Sequence, residues 1–216
     1  MIEFINQIIK KLWRIKKMVS FDEQISTEID WLGGGYFNQL MFTDGRLNPS
    51  YKSIYSTSGE THMDIDRLNW GVDNSSAWLK FWDIIDMSQA ATKWAWNYKG
   101  GILEPQLKKL VSQIIFPRYT QWCKTYLSAK SLEVVNSDDR LVFNFIYSVF
   151  NGIGWFKYFS DAMNIYVDVQ KITDPKILMD KMIEERMNNK WAGKYHVELI
   201  EQGGRTIDDM MKKGVI

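Results

Sequence analysis

A few side chains in this sequence could move a proton. Glu28 and Asp30 lie in one segment, STEIDWL, and Glu60 is followed directly by Thr61 and His62. A carboxyl group gives or takes a proton when its surroundings tune it, a threonine hydroxyl can hold a water, and an imidazole titrates near neutral pH. Cys123 is the single cysteine, and His62 and His196 are far apart, so neither a disulfide framework nor a metal-ligand cluster is expected, and no cofactor is implied. Each candidate also has a plain structural reading. Glu28 and Asp30 fit the solvated face of an amphipathic helix, and Glu60 fits a turn or N-cap acid. His62 fits a hydrogen-bonded loop residue, because no carboxylate stands at a spacing that would orient it as a base.

The elements that would position these residues are mainly helical. SFDEQISTEIDWL has a capping-type start, Ser20 with Glu23 three residues on, and then Phe21, Ile25, Ile29 and Leu32 at helical spacing until Gly33, Gly34 and Gly35 end the run. From Tyr36 to Arg67 the helical period is lost among Gly, Asn, Ser, Thr and Tyr, which reads as loops and a small hairpin, the natural place for a cleft. After Trp70 apolar residues return at three- and four-residue intervals in several successive segments. Pro105 suits a first helical turn, Pro117 should kink or divide its segment, and Asp174 with Pro175 starts the last helix. With no internal repeat or low-complexity linker, residues 20–216 read as one domain.

Residues 1–19 differ from the rest. MIEFINQIIKKLWRIKKM forms a basic amphipathic helix, with Lys10, Lys11, Arg14, Lys16 and Lys17 among Ile5, Ile8, Ile9, Leu12, Trp13 and Ile15. Its charges interrupt the apolar positions, unlike a secretory signal, and it is too short to span a bilayer. It fits docking on the domain or on a protein partner, or adsorption to an anionic membrane surface. The whole chain carries 27 Lys+Arg against 26 Asp+Glu, a net charge of +1, so no global field draws it to nucleic acid, which is not expected as a partner.

Several motifs in order resemble one family. GGGYFN (33–38), SGETHMDIDR (58–67) and WLKFWDIID (78–86) are similar to the lysozyme-like N-acetylmuramidases of phage and bacteria, glycoside hydrolase family 108. Members carry a first helix ending in Glu-Gly-Gly-Tyr, a loop with an Asp-x-Gly-Gly-Glu-Thr sequence followed by Gly-Ile, and in some cases a Trp-Lys-Ile-Ile-Asp continuation. RYTQWCKTY (118–126) and FNGIGWFKYFSDAMN (150–164) resemble later helices of the family, and MIEERMNNKWAGKY resembles the closing helix of its peptidoglycan-binding region.

The resemblance implies a lysozyme-like helical domain with a small hairpin region, acting on the glycan strands of peptidoglycan. It implies a phage or prophage setting, in the virion or in the host cytoplasm before release to the wall. The departures fall on the catalytic positions. Gly33 stands where the family has its glutamate, Ser56 where it has the aspartate, Ser58 replaces a glycine, and Asp64 replaces the glycine before Ile65. Glycoside hydrolysis needs a proton donor and a second carboxylate about 5 to 9.5 Å away. Glu60 is then the expected acid, beside Thr61, and Asp30, one turn before Gly33 and about 4.5 Å back along the axis, is the next candidate. Tyr36, after the glycines, is the best aromatic for a sugar face, with Glu28 and His62 as further contacts, whereas Trp78 and Trp82, four apart in a helix, are expected in the core. The alternative expectation is a virion or envelope protein that keeps the muramidase fold without its catalysis, held to its partners by residues 1–18.

Overall fold

The structure is a computed structural model that describes residues 19–32, 61–63, 65–67, 70–90 and 103–188. The fold is mainly α. Seven helices are described, α1 (Phe21–Leu32), α2 (Ser75–Ala90), α3 (Glu104–Tyr126), α4 (Ala129–Val135), α5 (Asp139–Phe150), α6 (Ile153–Asn164) and α7 (Pro175–Asn188), with an antiparallel hairpin of β1 (Thr61–His62) and β2 (Ile65–Asp66) between α1 and α2.

Local chemistry explains the helix starts. At α1 the Ser20 hydroxyl accepts from the Glu23 amide at 3.2 Å while Glu23 Oε2 accepts from the Ser20 amide at 2.8 Å, a reciprocal capping box. Asn74 Oδ1 caps α2 by accepting from the Ala77 amide at 3.1 Å. Ser128 and Asp138 do the same for α4 and α5, and Asp174 Oδ1 accepts from the Lys176 amide at 2.8 Å ahead of α7, whose first residue is Pro175. Gly152, at φ 96, makes the bend between α5 and α6 that a side chain would strain.

Helix α5 is the centre. Leu141 to Val149 are all buried, so this helix meets other elements around its whole circumference, as helices hydrophobic on all sides must. Helix α3 runs alongside, packing against α1, α2, α5 and α6. Ile25 and Ile29 of α1, Phe81, Trp82 and Ile85 of α2, and Leu178 and Met182 of α7 each form a four-residue stripe closing onto this core. Helix α6 passes into a π-helical turn, Ile165–Val169, and Asn164 at the junction ties α3 to α4, donating to the Tyr126 carbonyl at 2.8 Å and accepting from the Ser128 amide at 2.9 Å.

Of the two effects expected of Pro117, a kink or a division, the division does not occur. Helix α3 runs unbroken through it. The missing amide of Pro117 leaves the Gln113 carbonyl without its intrahelical donor, and Asn74 Nδ2 supplies one at 3.1 Å.

Candidate functional site

The candidate residues divide between α1 and the hairpin. On α1, side chains three or four apart share a face, so Ile25 and Ile29 turn inward, and Asp30 falls on the exposed side. Its Oδ1 lies 2.7 Å from Lys108 Nζ, and Lys108 also reaches Glu104 Oε1 at 2.8 Å, one turn earlier on α3. Asp30 is therefore a half-exposed carboxylate whose position is set by an ion pair between helices.

Glu28 is not on a solvated face. It is buried to 1% exposure, next in line to Ile29. On α7, Arg186 is fully buried as well. Arg186 Nε donates to Asn144 Oδ1 at 3.1 Å, and Nη2 donates to the Asn144 carbonyl at 3.2 Å and to Ser148 Oγ at 2.6 Å. Its guanidinium stands 4.0 Å from the Phe159 ring centroid and 4.8 Å from that of Tyr147. Burial pulls the Arg186 pKa down to about 9, while Tyr147 and the Glu28 carboxylate favour its charged form. Glu28 is thus an internal carboxylate whose negative charge favours the charged form of Arg186, and at 1% exposure it offers no carboxyl to a surface groove.

Sequence reasoning missed Arg186. The signal was present: Leu178, Met182 and Arg186 recur every fourth residue, so the arginine continues an apolar stripe.

The hairpin is held from both sides. Its register pairs Thr61 with Asp66 and His62 with Ile65. His62, Met63 and Ile65 are buried, so His62 is a strand residue inside the protein rather than a loop residue. Met63, in the turn, has φ 48, a left-handed conformation uncommon for a side-chain-bearing residue, and it lies in the core cluster. The His62 ring meets Trp82 edge-on at 5.5 Å and 74°. Arg67, just past β2, stands 4.1 Å over the Trp82 ring and forms a bidentate pair with Asp86, at 2.5 and 3.1 Å. Trp82 is buried as expected, and Trp78 packs against the same core at partial exposure.

A second arginine does comparable work beyond the hairpin. Arg118 lies 4.0 Å over buried Trp70 and 5.6 Å from Trp122, and pairs with Asp73. It joins the segment before α2 to the middle of α3.

Glu60, Tyr36, Gly33, Ser56, Ser58, Asp64 and the helix expected over residues 1–18 lie outside the described residues. For Thr61 the description covers the backbone in β1. Hence α1 carries Asp30 outward and Glu28 inward, while the hairpin carries His62 against Trp82 of α2. Among the described residues no group of three or more His, Cys, Asp or Glu is placed to hold a metal ion, and no helix is long and apolar enough to cross a membrane.

No family model, curated protein or solved structure matches the chain.

Proposed function

We propose that this is a lysozyme-like protein that engages the glycan strands of peptidoglycan and cleaves them, with Glu60 as the proton donor. In this reading Thr61 holds the attacking water, Asp30 is the second carboxylate, and Tyr36 contacts a sugar face. The observation that carries it is the clamped hairpin. Trp82, between His62 and Arg67, fixes the strand that begins immediately after Glu60, and a fixed backbone is what an acid needs to meet a glycosidic oxygen reproducibly. Glu60 would protonate the leaving oxygen while water adds to the anomeric carbon, its proton passing to the second carboxylate.

A second reading, a muramidase-type scaffold without hydrolysis in a virion or envelope assembly, is favoured by the acids of α1. Glu28 serves the core beside Arg186, Asp30 is engaged by Lys108, and Gly33 offers no carboxyl. Clearing of purified peptidoglycan, followed by turbidity and zymogram from acidic to neutral pH, separates the two. Hydrolysis predicts clearing that falls by about a hundredfold or more in Glu60→Gln. A folded protein that clears no wall at any of these pH values is the scaffold.

A further inference from the structure

Away from the hairpin, α1, α3 and the start of α2 enclose a surface cleft of about 420 Å³, in the range of small-molecule sites. Its apolar wall is Phe116, whose ring is 50% exposed. Phe21 braces that ring edge-on, with centroids 5.0 Å apart and planes at 80°, and Phe21 in turn contacts Tyr119 at 5.2 Å. Pro117 adds a second rigid apolar group beside it. The opposite wall is polar: Asp22, Asn74, Ser112 and Gln113.

Asp22, Ser112 and Asn74 are held in place before any ligand arrives. Ser112 Oγ donates to Asp22 Oδ1, which orients the carboxylate and leaves Oδ2 for other donors. Asn74 is fixed at both ends, accepting from the Ala77 amide and donating to the Gln113 carbonyl. Gln113 itself is exposed, with an amide that both donates and accepts. A half-bare aromatic ring costs free energy in water, and a braced one beside an oriented carboxylate and an amide suits a flat molecule with one apolar face and hydroxyls on its rim.

We propose that this cleft is a carbohydrate-binding site, in which a pyranose ring stacks on Phe116 while its hydroxyls donate to Asp22 and exchange hydrogen bonds with Gln113. Its lining includes none of the residues assigned to hydrolysis. Only the choice of N-acetylated sugar as probe rests on the proposed function; the stacking and carboxylate chemistry does not.

The test is calorimetric titration of the full chain with a chitooligosaccharide, and in a second arm with a glucose oligomer, with thermal unfolding as the check on folding. The expected result is binding that weakens by about tenfold or more in Phe116→Ala and severalfold in Asp22→Asn, which keeps the acceptor for Ser112 but loses the charge. Binding that survives both cleft substitutions unchanged overturns the proposal, as does absence of binding to either oligomer. Wall clearing, measured separately, reports on the hydrolytic reading whichever way the titration falls.

Discussion

Asn74 and Gln113 are joined by one hydrogen bond, Nδ2 to carbonyl at 3.1 Å, and the bond exists because Pro117 has no amide to give that carbonyl. The same Asn74 holds the first turn of α2 through Oδ1. One side chain therefore starts a helix and supplies a donor inside another, which ties α2 to α3 at the carbonyl that the proline leaves without an intrahelical partner.

Asn74→Ala should cost about 1 kcal/mol, mostly from the lost cap, since water reaches the exposed Gln113 carbonyl. Asn74→Asp keeps the cap and loses the donor. Its cost should shrink in a Pro117→Ala background, where residue 117 can again donate to Gln113. Chemical denaturation of the four proteins in the cycle measures this, and equal costs in both backgrounds would contradict the coupling.

Glu28→Gln should destabilise by about 1–3 kcal/mol, because it removes a buried negative charge that favours the charged form of the fully buried Arg186. Arg186→Met should cost a similar amount. The double substitution Glu28→Leu with Arg186→Met should cost less than the sum of its single changes. Wall clearing per folded molecule should be unaffected by Glu28→Gln, since Glu28 does not reach the surface.

Arg67→Ala should loosen the hairpin without unfolding the domain, since Arg67 is partly exposed and its partners are Trp82 and Asp86. Amide exchange at His62 and Ile65 should speed up severalfold while the melting temperature moves by a few degrees, about 1 kcal/mol. Unchanged exchange would mean that His62 and Ile65, buried in the core, hold the hairpin alone.

At high pH several groups should titrate late, Cys123 and Tyr158 among them. Burial pushes the Cys123 thiol from 9.0 up to about 12, against a smaller opposite effect of its hydrogen bond with Tyr119. Tyr158, donating to Glu185 Oε2 at 2.6 Å, is raised from 10.0 to about 12 chiefly by that bond. Both folded values lie above the unfolded ones. The stability they contribute is whole below about pH 9 and is lost as pH rises through about 12. Alkylation of Cys123 should accordingly be slow in the native protein and fast after denaturation. Glu185→Gln should return the Tyr158 phenol towards 10.0, read by ultraviolet titration.

What the sequence disclosed was local. The Ser20 and Glu23 capping box, the Asp174 and Pro175 start and the burial of Trp82 all follow from residues within a turn or two of one another. Misreadings arose where a partner comes from far along the chain. Glu28 is polar and read as solvated until Arg186, on the last described helix, is placed behind it. Pro117 read as a break because its remedy, Asn74, belongs to a different helix. The sequence offered Glu28 and Asp30 as candidate acids of one helix, but which of them faces inward depends on contacts elsewhere in the fold. Asp30 was separable from Glu28 only once Lys108 and Arg186 were in place.

Helix α5 gives the domain an unusual fastening. The amide of Val19 and the side chain of Gln24 both donate to Asp139 Oδ1 at its beginning, and Arg186 grips Asn144 and Ser148 further along. The earliest and latest described segments thus hang on a single interior rod, so a nick in the stretch between α1 and β1 should leave two pieces that stay together and melt as one.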